Sequence, residues 1–296
     1  MTSIMAKNDL GKTIIDELRL CYEAEPTLLK DLSSLEIGGW ITFDEFSLFR
    51  VVSRHFQYGF DVLYCPDSSG SRSKVATIRF GHYGEQRQSS FVYYRIENRV
   101  LYDQNLLNVT LAFPDMLGLA FQHITSIDLA RDYTFNVVAR IRKIAKNEGV
   151  TVIVNGKAID KKKDVYGAML VYSLNFHRLK NPTIAIKQAK AVKDKAKGLT
   201  MCAYDKGSEI DMASGKNYIK EFYGCPKILH RLEVHLNNPE IKDYCRNIVK
   251  VVQDLTLLRD QNFLDSLYEY HLSALLRFSK GRKRIAWNEI LCSGRV

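Results

Sequence analysis

The sequence lacks the cysteine spacing of a zinc ribbon or a disulfide framework. Its six cysteines are widely scattered, and no two of them have the Cys-x-x-Cys spacing. We therefore expect reduced thiols and a cytoplasmic location. The chain also lacks an apolar run of about 20 residues, the length that a membrane-spanning helix requires. Asp9, Asp16 and Glu17 stand where a secretory signal needs apolar residues, so we expect no membrane partner.

Acidic residues are fewer than basic ones. The 33 Asp and Glu residues are outnumbered by 43 Lys and Arg residues, which gives a formal net charge of +10. This balance favours an anionic partner, although charge alone does not distinguish DNA, RNA and an acidic membrane. With 296 residues and 46% apolar content, the chain can form one large or two ordinary domains with a sizeable core.

Short runs of aromatic and β-branched residues, separated by turn-forming residues, fill the stretch from residue 40 to residue 102. This pattern predicts antiparallel hairpins. The predicted strands cover residues 40–50, 60–65, 74–80 and 91–96.

The rest of the chain shows both helical and strand patterns. Apolar spacing predicts an N-terminal helix over 11–22, a helical region over 247–280 and a basic tail over 277–284. Between the N-terminal helix and the C-terminal helical region, the order of strand, helix and strand occurs twice, which indicates two related halves. The elements predicted there are strands over 124–133, 150–154 and 167–176, strands containing Tyr204 and Glu233, and helices over 135–146, near 216–222 and after Pro239.

Two of these strands combine an apolar face with a chemically rich one. Side chains alternate between the faces of a strand, so the polar residues of each run lie opposite its buried ones. The residues on these polar faces are Tyr204 and Lys206 in the first run and Arg231, Glu233 and His235 in the second. Asp128 and Asp132, four residues apart in the strand over 124–133, also share a side. The polar side chains of the Tyr204 and Glu233 strands are the candidate site, whereas the ordinary interpretation of such a face is a solvated surface.

Three motifs in series carry a family resemblance. They are Ser126-Ile127-Asp128-Leu129-Ala130-Arg131-Asp132-Tyr133, Ala203-Tyr204-Asp205-Lys206-Gly207-Ser208-Glu209 and His230-Arg231-Leu232-Glu233-Val234. Their order resembles that in the trans-acting replication initiation factors of rolling-circle plasmids and filamentous phages and in related relaxases of conjugative elements. The resemblance covers roughly residues 40–240.

The resemblance implies an enzyme that nicks and religates one strand of origin DNA, either single-stranded or extruded as a hairpin. Tyr204 would be the nucleophile and would become joined to the 5′ phosphate. Asp128 and Glu233 would hold Mg²⁺ or Mn²⁺, with Asp132 and Glu209 as second choices, because carboxylates suit these hard cations better than zinc.

Three cationic side chains have expected roles in this chemistry. A phenol is a poor nucleophile at neutral pH, and Lys206 or His235 would favour the phenolate. Arg231 would bind two phosphate oxygens.

The implied fold is α+β, with a large curved antiparallel sheet, helices packed on one face and a helical C-terminus. We expect a nicking domain over 1–240 and a helical region with a basic tail over 241–296. The C-terminal helices are candidates for dimerisation, origin contact or helicase recruitment, and the sequence does not choose among these roles.

Basic runs are candidates for contact with DNA phosphates, although such runs are also typical of solvated surfaces. The expected DNA-binding residues are Lys190, Lys193, Lys195, Lys197, Arg282, Lys283 and Arg284. The aromatic residues Phe91, Tyr93 and Tyr94 are candidates either for stacking on unpaired bases or for core packing.

Several alternatives stay open at this stage. A non-catalytic basic DNA-binding protein would need the charge but no active site. Among 16 tyrosines, Tyr133, Tyr172 and Tyr223 compete with Tyr204. An endonuclease of the His-hydrophobic-His type is disfavoured, because no such histidine pair occurs.

Overall fold

The computed structural model describes residues 10–66, 70–82, 89–160, 183–188 and 198–292. Some predictions lie outside these ranges. They concern the strand over 167–176, the competing tyrosine Tyr172, and Lys190, Lys193, Lys195 and Lys197.

The described chain contains both strands and helices. The strands are β1 (Ile14–Glu23), β2 (Trp40–Phe43), β3 (Phe46–Val51), β4 (Phe56–Tyr64), β5 (Ser73–His82), β6 (Phe91–Ile96), β7 (Ala120–Tyr133), β8 (Thr151–Val154), β9 (Lys157–Ala158), β10 (Ile184–Lys187), β11 (Thr200–Asp205), β12 (His230–Asn237), β13 (Leu276–Lys280) and β14 (Lys283–Ile285). The α-helices are α1 (Pro26–Ser34), α2 (Gln104–Met116), α3 (Val137–Lys146), α4 (Lys206–Glu209), α5 (Asn217–Phe222), α6 (Asn238–Asp243), α7 (Gln261–Leu275) and α8 (Trp287–Cys292).

Ten strands form an antiparallel sheet in the order β10-β11-β12-β7-β1-β6-β5-β4-β3-β2, and a smaller sheet has the order β14-β13-β8-β9. The predicted α+β class, with a large antiparallel sheet and a C-terminal helix, is confirmed. No helix in the described ranges has the length and apolar character needed to cross a membrane.

The chain divides into two compact units. Unit 1 comprises Met1–Ile15, Asp128–Lys250 and Thr256–Val296, and unit 2 comprises Asp16–Ile127 and Val251–Leu255. Neither unit ends at residue 240, the boundary expected from the sequence.

Unit 2 contains the predicted hairpins. The strand pairs β3–β4, β4–β5 and β5–β6 are antiparallel, as the alternation of aromatic runs and turns predicted. The single strand predicted over 40–50 is wrong, because the chain turns within it and forms the two antiparallel strands β2 and β3. The core side of the unit 2 strands is filled by large apolar groups such as Phe60, Phe80 and Tyr94, which are fully buried.

A proline explains one buried contact in unit 2. The Tyr94 hydroxyl donates to the Thr110 carbonyl oxygen over 2.9 Å. In a regular helix that carbonyl would accept from the backbone N–H four residues later, but the residue there is Pro114, which has none. Tyr94 therefore supplies the hydrogen bond that the helix backbone cannot supply.

The helix predicted over 11–22 is wrong, because this stretch forms the strand β1. Leu18, Leu20 and Tyr22 are fully buried at alternate positions. The helical interpretation used Ile14, Ile15, Leu18 and Tyr22, of which Ile14, Leu18 and Tyr22 are four residues apart. Residues at that separation share a face in a strand as well as in a helix, so their spacing does not distinguish the two. Leu20 resolves the ambiguity in favour of the strand.

Unit 1 contains the strands and helices that carry the candidate site. The predicted helix over 135–146 is confirmed as α3, whose first turn is capped by the Asn136 side chain. The predicted Tyr204 and Glu233 strands are confirmed as β11 and β12, which pair antiparallel.

The C-terminal region differs from the prediction of a helical region over 247–280 with a basic tail. Helix α7 ends at Leu275, and β13 and β14 then form an antiparallel hairpin. Leu276 and Phe278 are buried while Arg277 between them is exposed, which is strand alternation. Pairing of β13 with β8 accounts for this change, since it buries both apolar side chains.

Candidate active site on strands β7, β11 and β12

Three strands of unit 1 bring their polar side chains to one side. Tyr204 lies opposite Arg231 in the β11–β12 register, and Cys202 lies opposite Glu233. The alternate residues Met201, Ala203, Leu232, Val234 and Leu236 are fully buried. The predicted separation of apolar and polar faces is therefore confirmed on both strands. We call the half-buried group Tyr204, Glu233, His235 and Asp128 the polar face.

Tyr204 and Glu233 are in direct contact on this face. The Tyr204 hydroxyl donates to Glu233 Oε2 over 3.1 Å. Neither residue is fully buried. A carboxylate at this distance is within reach to accept the phenol proton when the oxygen attacks an electrophile.

His235 and Asp128 form the second contact on the polar face. His235 Nδ1 makes a short contact with Asp128 Oδ1, and His235 Nε2 lies 3.2 Å from Asn237 Oδ1. Asn237 is also the N-cap of α6, and its backbone N–H donates to Glu240 Oε2 over 3.1 Å. Both ring nitrogens of His235 thus have partners that hold its orientation.

Lys206 lies next to the tyrosine but is already paired. Its Nζ is 5.7 Å from the centre of the Tyr204 ring and 2.9 Å from Glu209 Oε2. Both members of the ion pair are buried. The Asp205 side chain positions them, because it accepts from Ser208 N and caps α4. Glu209 is therefore engaged by a cation, and the positive charge of Lys206 near the phenol is partly offset.

Arg231 and Asp132 are not on an accessible surface. Arg231 Nε donates to Asp132 Oδ1 over 2.8 Å, and Nη2 donates to Asp132 Oδ2 over 2.6 Å. Both side chains have 0% exposure. The expectation that Arg231 faces a phosphate and that Asp132 faces a cation is therefore corrected. Their opposite charges satisfy each other in the interior, which is the usual condition for burying them.

Sequence reasoning missed that β7 and β12 pair their charged residues twice, as Asp132 with Arg231 and as Asp128 with His235. Asp128 and Asp132 are four residues apart on β7, as are Arg231 and His235 on β12. A single antiparallel alignment therefore places Asp132 at Arg231 and Asp128 at His235. This equal spacing is visible in the sequence, but it is informative only once the two strands are known to be neighbours.

A further histidine lies beside the site but off the polar face. His230, at the start of β12, is buried opposite Asp205. Burial lowers its pKa from the usual value, and Asp205 acts in the opposite direction. His230 is therefore neutral at physiological pH.

The two competing tyrosines that the structure describes are less accessible than Tyr204. Tyr133 and Tyr223 are both buried. Among the residues considered for base stacking, Tyr94 is also buried, whereas Phe91 is exposed and Tyr93 is half-buried. Of the tyrosine candidates that the structure describes, Tyr204 is the one with both exposure and a carboxylate partner.

The positions of the carboxylates determine which of them could bind a divalent cation on the polar face. Within the described ranges, no group of three or more His, Cys, Asp or Glu side chains is placed to hold a metal ion. However, Mg²⁺ usually binds through one or two carboxylates together with water and substrate phosphates, not through a cage of protein ligands. Glu233 and Asp128 are the predicted ligands that remain on the polar face, and their oxygens have suitable chemistry for that mode.

The sequence matches no model of a known protein family, and it has no significant match among curated proteins.

Proposed function

We propose that this protein is a rolling-circle replication initiator or relaxase that nicks and religates one DNA strand through Tyr204. The observation that carries the proposal is the 3.1 Å hydrogen bond from the Tyr204 hydroxyl to Glu233 on a partly accessible strand face. The order of the three sequence motifs and the net charge of +10 also support it.

In the proposed reaction, the Tyr204 oxygen attacks a backbone phosphorus while Glu233 accepts the phenol proton. The new bond joins the tyrosine oxygen to the 5′ phosphate. The bond from phosphorus to the 3′ oxygen breaks, that oxygen takes a proton from water to become the 3′ hydroxyl, and Glu233 returns its proton to solvent. Religation runs in reverse, with the 3′ hydroxyl attacking the phosphotyrosine. Placing the nucleophile beside its base supplies the general-base part of the rate enhancement, about 10²- to 10⁴-fold.

Charge on the polar face supports a role for a cation. Glu233 and Asp128 are both acidic, and a DNA phosphate approaching Tyr204 would bring further negative charge. Mg²⁺ or Mn²⁺ held by these two carboxylates would neutralise the phosphate and polarise it. His235 would orient the Asp128 carboxylate, as hydrogen-bonded partners commonly do for ligating side chains.

The test uses DNA from the genetic element that encodes the chain. Single-stranded oligonucleotides tiling that element are incubated with the protein and Mg²⁺ or Mn²⁺, and protein-linked 5′ ends are mapped. We expect Tyr204→Phe to abolish the covalent adduct, because phenylalanine keeps the ring and removes the nucleophile. Tyr270→Phe is the matched control, since Tyr270 is an exposed tyrosine on α7.

Two further variants test the roles of the acidic residues. Glu233→Gln keeps the size of the side chain but removes its charge, and should slow adduct formation at least 100-fold. Asp128→Asn should raise the concentration of Mg²⁺ needed for cleavage. An adduct that persists in Tyr204→Phe would refute the assignment. Salt-sensitive DNA binding without any cleavage by the wild type would instead favour a non-catalytic DNA-binding protein.

A further inference from the structure

The strand β2 of unit 2 is the last strand of the ten-stranded sheet, and within the described ranges it pairs with β3 alone. Trp40, Ile41 and Thr42 in this strand are exposed. Natural proteins commonly protect a free strand edge with lysine or proline, and β2 contains neither. The outer edge of β2 is therefore open to a strand from another chain.

The hydrogen-bond pattern shows which backbone groups of β2 face this edge. The Arg50 N–H donates to the Gly39 carbonyl oxygen over 2.8 Å, and the Arg50 carbonyl oxygen accepts from the Gly38 N–H over 3.0 Å. Residues that bond to the partner strand alternate with residues whose backbone groups point away from it. Since Trp40 follows Gly39 in the register, Trp40 and Thr42 direct their N–H and C=O groups outward.

The side chains beside this edge are apolar and cationic. Trp40 is 51% exposed and Ile41 is 38% exposed. The guanidinium carbon of Arg72 lies 3.8 Å from the centre of the Trp40 ring. Arg72 is itself exposed, and no carboxylate in the part of the chain that the structure describes forms an ion pair with it. Tryptophan and arginine are the side chains that most often dominate binding at protein interfaces.

The length of β2 indicates the size of the partner. The strand has four residues and is preceded by a bulge at Gly38, whose φ is +88°. Two such strands laid edge to edge give little contact compared with the roughly 1,200–2,000 Å² that a stable protein interface buries. A short extended peptide suits the edge better than a second copy, because strand addition takes its affinity from main-chain hydrogen bonds.

The charges indicate the ends of that peptide. Arg72 on the Trp40 ring is complementary to a carboxylate at one end of β2. Asp44 is exposed in the turn at the other end and is complementary to a cation there. All strand pairs of unit 2 from β2 to β6 are antiparallel, so an added antiparallel strand continues the pattern. In that direction the C-terminal end of the peptide lies beside Trp40.

We propose that β2 binds an extended segment of a partner protein as an added antiparallel strand. The segment bonds through its backbone to Trp40 and Thr42, packs an apolar side chain beside Ile41 and places a carboxylate near its C-terminal end against Arg72. This proposal uses neither Tyr204 nor DNA, so it stands or falls independently of the nicking proposal.

The test measures binding of a synthetic peptide to the full chain by fluorescence anisotropy. The peptide is fluorescein-labelled Lys-Lys-Thr-Val-Thr-Val-Glu-Glu with an amidated C-terminus. The control peptide, Glu-Glu-Thr-Val-Thr-Val-Lys-Lys, has the same composition with the charges reversed. We expect a dissociation constant on the order of 100 μM for the first peptide, as for a small transient interface. The reversed peptide should bind at least about 5-fold more weakly, because it loses both ion pairs.

Three variants locate the binding site. Thr42→Pro removes an outward N–H but no hydrogen bond to β3, so it should abolish binding while the chain stays folded. Trp40→Ala should weaken binding by about 10-fold or more. Arg72→Gln should remove most of the preference for the first peptide. Met116→Ala and Arg99→Gln are the matched controls, because both residues are exposed elsewhere in unit 2. Circular dichroism melting checks that each variant is folded.

Amide hydrogen exchange distinguishes strand addition from binding through side chains alone. In the free chain the N–H groups of Trp40 and Thr42 should exchange rapidly. Peptide at ten times its dissociation constant should slow their exchange about 10-fold and leave Ile41, whose N–H faces β3, nearly unchanged.

Several results would overturn the proposal. They are binding without protection of these amides, absence of binding, equal or tighter binding of the reversed peptide, and equal losses in the control variants. Protection without any peptide would also overturn it. Such protection would identify a second copy as the occupant if it disappeared on dilution, and a segment of the same chain if it persisted.

Discussion

The buried pair Arg231–Asp132 provides a test of which polar residues are structural. The two side chains make two hydrogen bonds and have no solvent exposure. Removing either partner leaves a charge in the interior without its counter-ion, and such losses typically cost about 3–5 kcal/mol. We therefore expect Asp132→Asn and Arg231→Met each to lower the free energy of unfolding of unit 1 by about that amount.

A double variant shows how much of the lost free energy of unfolding comes from leaving one charge buried alone and how much from losing the ion pair itself. Replacing a buried ion pair with apolar residues of similar volume is often neutral or stabilising. Asp132→Leu combined with Arg231→Met should therefore be more stable than Arg231→Met alone. An exposed pair serves as the control, because Asp211→Asn removes the surface partner of Lys220 and should cost no more than about 1 kcal/mol.

The assay follows unit 1 by itself, since a protein with two units need not unfold in one step. The chain has two tryptophans, of which Trp287 is buried in unit 1 and Trp40 belongs to unit 2. In a Trp40→Phe background, urea unfolding monitored by tryptophan fluorescence reports on Trp287. Losses below 1 kcal/mol in both single variants would refute the reasoning. So would a double variant that loses as much as the two single variants combined.

Two further predictions concern buried polar groups. Tyr94→Phe should cost about 1–3 kcal/mol, because the Thr110 carbonyl loses the donor that replaces the missing N–H of Pro114, whereas Tyr22→Phe should cost almost nothing. The buried Tyr22 hydroxyl has no hydrogen-bond partner in the described chain, and equal losses in urea unfolding would contradict the distinction. Burial lowers the pKa of His271, so the unfolded chain takes up a proton first as the pH falls below about 6.5 and stability decreases. His271→Gln should make the urea midpoint change less between pH 7.5 and 5.5, and an unchanged dependence would count against this role.

The sequence was most informative where a strand has one apolar and one polar face. Alternation placed Tyr204 and Glu233 on the same side of β11 and β12, and the structure joins them by a hydrogen bond. Alternation along a strand predicts on which face of the sheet a side chain lies, but it does not predict how deeply that side chain is buried. Burial depends on what packs above the strand, so the same pattern could not distinguish the accessible Glu233 from the inaccessible Arg231.

Periodicity was least informative for short segments. In β1, residues four apart satisfied both a helical and a strand pattern. Leu275, the last residue of α7, and Phe278 of β13 are both positions of one predicted helical pattern. The actual conformation of Phe278 is decided by pairing with β8, a strand more than 100 residues earlier in the chain. Such distant pairing is not visible in a local pattern.

Asn237 joins the end of β12 to the start of α6 and also contacts His235. Fraying of that first helical turn would remove the Asn237 contact of the imidazole and leave the Asp128 contact, so the ring's mobility is coupled to the local opening of a neighbouring helix. Glu240 contributes to the same cap without touching the polar face in this arrangement. Its replacement would change the dynamics of His235 from a position outside the site, and relaxation measurements on the imidazole would detect that change.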